Sequence, residues 1–157
     1  MLRALYPQVA VAVVARFDAQ AELARRFGAD KVLAHEPRLA VIEELVAWGG
    51  GRLRQPLQGL PMAYPGSIDV VYDTVGKPET FEVGVRVLVA RGTLVKAGVH
   101  APGRWEWSPY LDLVADGRVD LRPMLTHTFG LEQWREAFLA IANQGESGAV
   151  KVAIDFR

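Results

Sequence analysis

Three short stretches of this chain hold residues that could touch a ligand. They are Ala15-Arg16-Phe17, Asp73-Thr74-Val75-Gly76 and Ala97-Gly98-Val99-His100, and each closes a run of apolar residues. In an open α/β sheet, ligands bind just outside the carboxyl ends of the strands, so loops in these positions are where chemistry belongs. The first stretch says most. A dinucleotide fold reads the adenosine ribose at such a strand end, and a reader of NAD places Asp or Glu there to accept hydrogen bonds from the ribose hydroxyls. Here the position is Ala15, followed by Arg16. Without the carboxylate a 2′-phosphate is not repelled, and a guanidinium can pair with one through two N–H donors. The pair favours NADP over NAD. The alternative is that Arg16 is a solvated turn residue.

Other candidates point less clearly to chemistry. Gly49-Gly50-Gly51 precede Arg52 and Arg54. A phosphate cradle needs its glycines between a strand and a helix N-terminus. These follow a helical pattern, which reads as a helix stop. His35, His100 and His127 are scattered, with no i, i+4 pair to hold a metal. His100, at a strand end, reads as a surface loop residue, with ligand contact the alternative. Trp105 and Trp107 alternate in an extended "RWEWSP" and read as packing residues. The chain has no cysteine, which excludes disulfides, thiolate metal ligands and a cysteine nucleophile. No serine stands in a nucleophile-elbow context.

The elements that must position these residues follow from periodicity. Val9–Val14 is a mostly β-branched apolar run, as expected of a strand buried on both faces of a parallel sheet. Pro7 stops a helix over the residues before it. Asp18 is placed to N-cap the next helix, and Gly28 to stand at its C′ position. Lys31–Leu33 reads as a short strand and Arg38–Trp48 as a helix. The segment 52–66, with Pro56, Pro61 and Pro65, reads as long and irregular. Ser67–Gly76 is a second buried strand with its loop, Pro78–Leu88 a helix, and Thr93–Val99 a third strand after a turn at Gly92. "YLDLVADGRVD" and "LEQWREAFLAIANQG" are two more helices, and Lys151–Phe156 closes the chain as a strand. Strands alternating with helices mean an α/β fold around a parallel sheet.

Composition narrows the class further. The chain has 157 residues, 50% hydrophobic and 23% charged, enough for one domain with a core. Lys plus Arg and Asp plus Glu both number 18, so nothing favours nucleic acid as a partner. No apolar run reaches the roughly 18 residues of a membrane span, and no signal-peptide core opens the chain. The absence of cysteine suits a reducing cytosol, and a cytoplasmic protein is expected.

Three blocks, "ARFDAQAELARRFGADKVL", "DVVYDTVGKPETFEVGVRVLVARGTLVKAGV" and "MLTHTFGLEQWREAFLAI…GAVKVAIDF", together resemble the medium-chain dehydrogenases, in particular the zinc-type alcohol dehydrogenases. The resemblance covers nearly the whole chain. It implies a Rossmann-like α/β domain, a nicotinamide cofactor and hydride transfer between that cofactor and an alcohol or polyol. It matches Ala15 to the ribose-reading position and Arg16 to the phosphate-reading position of NADP members. It matches Asp73, Thr74 and Val75 to the strand end beside the adenosine, and Ala97, Gly98 and Val99 to the segment along the nicotinamide. Lys151 matches a basic position that can approach the pyrophosphate.

The departures from the family pattern shape the rest of the expectation. The family's first Rossmann strand, its G-x-G-x-x-G and its zinc-holding catalytic domain would precede Val9, and none of them is found in this sequence. Another strand and helix would follow Pro109. The chain therefore reads as a single partial Rossmann domain over residues 1–157, with residues 150–157 a closing strand that in the family returns to the catalytic domain. Weak or absent cofactor binding, no zinc, no activity alone, and a homo-oligomer formed through uncovered sheet edges are expected. A non-catalytic nucleotide-binding or interaction module, or a remnant without function, is the alternative. A methyltransferase fits poorly, since it too wants a glycine-rich loop and an acidic residue after its second strand.

Overall fold

The computed structural model describes residues 2–97 and 108–156. They fall into two compact units, one from the described residues of Met1–Ala34 and Trp105–Arg157, the other from those of His35–Arg104.

In the first unit the chain opens with a one-turn helix, α1 (Leu2–Leu5), and enters β1 (Ala12–Ala15). Helix α2 (Asp18–Arg26) then crosses back to β2 (Lys31–Ala34), which pairs with β1 in parallel, from Ala12 opposite Lys31 to Ala15 opposite Ala34. The expected strand Val9–Val14 is shorter and less covered than its composition implies. The Tyr6 carbonyl accepts the Val9 N–H in a turn, and the Val11 N–H is taken by Asp30 Oδ2 at 2.8 Å, so the ladder starts only at Ala12. Val14, expected inside, is 42% exposed. Helix α2 also starts differently: Phe17 is the N-cap, with no side-chain cap, and Asp18 is the first helical residue. Gly28 takes the expected position after the helix, at φ +84°.

Asp30 is the clamp at the amino ends of β1 and β2. It accepts from the Val11 N–H and from the Arg3 guanidinium, which also donates to the carbonyls of Pro7 (2.8 Å) and Gly28 (3.3 Å). The Val11 N–H first, and then Arg3, hold the Asp30 carboxyl below the ordinary carboxylate range.

Further along the same unit, α5 (Ser108–Ala115) stops before Gly117 at φ +68°, short of the helix expected over "YLDLVADGRVD". Strand β7 (Leu125–Gly130) follows, an element that periodicity did not reveal. After a 3₁₀ turn, Leu131–Gln133, come α6 (Trp134–Ala142) and the single turn α7 (Gln144–Ser147), where one longer helix was expected. The closing strand β8 (Lys151–Asp155) pairs with β7 in parallel.

The second unit opens with α3 (Arg38–Trp48), whose bounds are those its periodicity implies, and Gly49 caps it. Val41, Ile42, Leu45 and Val46 are buried on it, Ile42 completely. The segment read as irregular holds a small antiparallel ribbon, β3 (Leu53–Arg54) against β4 (Met62–Ala63). Then β5 (Ile68–Asp73), α4 (Pro78–Val87) and β6 (Leu88–Lys96) form a second strand–helix–strand unit with parallel strands. Strand β6 starts directly at the end of α4 rather than after Gly92. Its register breaks between the pairs Ile68–Leu88 and Val70–Thr93, where Arg91 sits at φ +66°. A Cβ built on Gly84 would stand 3.0 Å from Leu94 Cδ1 and 3.1 Å from Val71 Cγ1, so the missing side chain lets α4 lie close on both strands. Helix α3 packs on α4, and Glu82 ties the two: its carboxylate meets Arg38 at 2.8 Å and Arg86, one turn on, at 2.8 Å.

The fold is therefore α/β, and the described residues form three parallel strand pairs, each covered by the helix that connects them. Among the described residues, no helix is long and apolar enough to cross a membrane.

Two outcomes follow. Ile42→Ala empties a fully buried site and is expected to cost about 2–5 kcal/mol, against roughly 0.5–1.5 for Ile42→Val, read from denaturant midpoints. Asp30→Asn is expected to lower stability at neutral pH. Because the folded carboxyl is held low, the wild-type advantage should be complete above the ordinary carboxylate range and vanish as pH falls through the depressed value. An advantage that persists at lower pH would contradict the clamp.

Candidate cofactor-binding site

Parallel pairing makes β1 and β2 end together, with Ala15 opposite Ala34. Ala15 is 6% exposed. A carboxylate at this depth would need partners to offset its desolvation, and the alanine methyl needs none. The next residue, Arg16, is exposed. Its N–H donates to Gln20 Oε1 at 3.2 Å, and its guanidinium carbon lies 5.1 Å from the centroid of the Phe17 ring. Among the described residues the guanidinium makes no hydrogen bond and no ion pair. The strand end thus presents a cation whose donors are uncommitted.

The end of β5 is built the opposite way. Asp73 is 5% exposed, and its Oδ1 accepts the N–H of Val75 (3.1 Å) and of Gly76 (2.8 Å). The Thr80 hydroxyl lies 3.0 Å from Asp73 Oδ1 and 3.0 Å from the Lys77 carbonyl, so its one proton is shared between them. Asp73 Oδ2 is buried without a protein partner among the described residues. The carboxylate thus turns onto its own loop and onto the first turn of α4, leaving Thr74 and Val75 exposed at the surface of that loop. The Ala97 N–H donates to the Asp73 carbonyl at 2.9 Å, which continues the β5–β6 pairing beyond Lys96. Gly98 and Val99 lie outside the described residues, as do His100, Trp105 and Trp107.

Lys151 is exposed at the first position of β8, opposite Leu125, and its carbonyl accepts the Thr126 hydroxyl at 3.1 Å. It stands at the amino end of its strand. The structure therefore gathers Asp73, Thr74, Val75 and Ala97 at one strand end, and Ala15 with Arg16 at another in the other unit. Sequence reading missed Gln20 and Thr80, and gave Phe17 no role beyond its place in the first stretch. The Asp73-x-x-Gly76 spacing, typical of a side chain bonding its own loop, was the available signal for the inward carboxylate. Lys77 and Lys96, which border a hollow with Gly76, Pro78 and Phe81, were missed too.

The described residues do not suit a zinc ion. The chain has no cysteine, and no group of three or more His, Cys, Asp or Glu among the described residues could hold a metal.

Parallel strands covered by their connecting helices, with loop chemistry at the carboxyl ends, define an α/β fold of the Rossmann type. Residues 7–143 match the family model described as zinc-binding dehydrogenase, and the chain belongs to that family. It is 27% identical over 162 residues to an alcohol dehydrogenase of Cupriavidus necator, a match covering 87% of this chain and 40% of the relative. A short chain alcohol dehydrogenase of Escherichia coli CFT073, solved with NADH, superposes with a TM-score of 0.70 at 18% identity over 99% of this chain and 47% of the other. A zinc-binding dehydrogenase of Sinorhizobium meliloti, solved with NADP, gives 0.61 at 24% identity over 94% and 45%. The chain thus spans less than half the length of these relatives.

Removing the Asp73 acceptor leaves two backbone N–H groups and a hydroxyl without it. Asp73→Ala is expected to cost about 1–3 kcal/mol, while Asp73→Asn, which keeps a carbonyl oxygen in place, should cost less. Urea midpoints measure both; equal losses would mean that the Oδ1 contacts contribute little.

Proposed function

We propose that this chain is the cofactor-binding portion of an NAD(P)-dependent zinc-type dehydrogenase, serving hydride transfer between a nicotinamide cofactor and an alcohol or carbonyl compound, and that it prefers NADP. The observation that carries the reading is the first strand end: Ala15 buried where a ribose-binding carboxylate would stand, and the exposed, uncommitted Arg16 beside it. A 2′-phosphate supplies the acceptor that this guanidinium lacks. Thr74 and Val75 offer the loop surface for the adenosine, and Ala97 leads into the segment assigned to the nicotinamide. Asp73 shapes the loop at its own strand end. The nicotinamide itself supplies the hydride chemistry; the residues of this chain bind and orient it.

The chain by itself is proposed to hold no zinc and to be inactive toward alcohols, since its residues offer no thiolate and only three dispersed histidines. Residues 1–157 are read as a single partial Rossmann domain in a cytoplasmic protein. A homo-oligomer is proposed as well. Trp134, Phe138 and Ile141, spaced along one side of α6, are 55%, 68% and 45% exposed. Apolar surface of this kind favours association, and the net charge of zero does little to oppose it.

Titration of the chain with NADPH and NADH tests the cofactor reading. A charged hydrogen-bonded contact is worth on the order of 1.5–3 kcal/mol, so Arg16→Ala should weaken NADPH by roughly 10- to 150-fold and leave NADH nearly unchanged. Equal affinities in the wild type would remove the preference. Metal analysis should find no zinc retained; about one tightly held equivalent per chain would overturn that part. Light scattering across a concentration series should show association, and a monomer at every concentration would contradict it.

A further inference from the structure

An exposed arginine is a poor instrument of selectivity unless something holds it. Its side chain carries about 2 kcal/mol of rotamer entropy, and whatever order a ligand imposes is subtracted from affinity. Two contacts restrain Arg16 before any ligand arrives. Its N–H is fixed to Gln20 Oε1 at 3.2 Å, which pins the turn between β1 and α2. Its guanidinium lies over the Phe17 ring, 5.1 Å from the centroid, within the range of a cation–π contact. Contact through the ring face leaves the N–H donors open.

The Phe17 ring is restrained in turn. Phe17 is half-buried, with extended backbone at φ −122° and ψ 149° as the N-cap of α2. A Cβ built on Gly145, in α7, would stand 3.2 Å from Phe17 Cε1 and 3.4 Å from Cδ1. Gly145 therefore seats the ring edge, and even one added methyl would press on it. Gly145 does not need a left-handed backbone, so an alanine there meets the ring rather than backbone strain.

We propose that Phe17, seated on Gly145, is a positioning residue for cofactor selectivity: it holds the Arg16 guanidinium, donors outward, for the 2′-phosphate of NADP. This rests on the cofactor reading above and adds the residues that make Arg16 effective. It also ties a segment more than a hundred residues away in sequence, α7, to the choice between the two cofactors.

The test uses the full chain with NADPH and NADH as probes. Phe17→Leu keeps an apolar side chain but removes the π face. It should weaken NADPH by roughly 2- to 5-fold, the size of an exposed cation–π contact, and leave NADH unchanged. Phe17→Tyr should restore the wild-type ratio. Gly145→Ala should lower the ratio in the same direction. In Arg16→Ala the Phe17→Leu change should have no further effect on either cofactor. A readout without cofactor guards against variants that fold poorly. The Arg16 side-chain proton resonances should be shifted by the ring current in wild type and Phe17→Tyr, and move toward random-coil positions in Phe17→Leu with the other amide signals in place. If wild type binds both cofactors equally, or neither, the cofactor reading fails and this inference with it. If wild type prefers NADPH but Phe17→Leu keeps the same ratio, or loses both cofactors equally, the positioning role alone is overturned. Arg16 resonances unmoved by Phe17→Leu would overturn it as well.

Discussion

Parallel strand pairing is the constraint on which this structure depends. Two parallel strands cannot be joined by a hairpin, so each pair needs a crossover, and the crossover brings a helix to cover the pair. The described residues meet this requirement three times: α2 between β1 and β2, α4 between β5 and β6, α6 between β7 and β8. The same constraint fixes where chemistry can occur. Strands that run the same way release their loops at the same end, and the paired carboxyl ends become the place where a ligand can meet several loops.

The two strand ends that matter use opposite electrostatic solutions. At β5 the Asp73 carboxylate turns inward, taking up the loop's own N–H groups and sharing the Thr80 proton. That loop is held by its own charge; Thr74 and Val75 are exposed on it, and the exposed Lys77 and Lys96 border the hollow beside it. At β1 there is no carboxylate. Ala15 is buried, Gln20 fastens the turn through the Arg16 N–H, and the guanidinium lies over the Phe17 ring with no hydrogen-bond partner among the described residues. One end folds a carboxylate into its own loop beside two exposed lysines; the other has no carboxylate and sets an arginine over an aromatic ring.

What the sequence made legible follows from how local each cause was. Helix α3 could be read to its bounds because its apolar spacing and the glycines after it are cues within a dozen residues. The parallel α/β class was legible from alternation, and the family from three ordered blocks. Strand β7 was not. Thr126, His127 and Thr128 break the apolar run that marks a buried strand, and its partner β8 begins more than twenty residues later. The start of β1 differs because Val9 to Val11 look like strand, yet the Val9 N–H bonds a turn carbonyl and the Val11 N–H bonds the Asp30 side chain, only the Val11 carbonyl reaching the backbone at the start of β2. At the site, Arg16 was legible as a residue type in a position. The support beneath it was not, because Gly145 reaches Phe17 only once the chain has folded. The resemblance matches Asp73 to the strand end beside the adenosine; that its carboxylate bonds its own loop shows only in the folded chain.

The central claim is that the end of β1 is an anion site selective for a ribose 2′-phosphate. The most direct measurement is a heteronuclear NMR titration of the chain with adenosine 2′,5′-bisphosphate, with ADP as the comparison. The Ala15, Arg16 and Phe17 amides and the Arg16 Nε–H should shift with the bisphosphate and respond far less to ADP. Shifts of equal size with both ligands, or shifts that leave these three residues untouched, would contradict it.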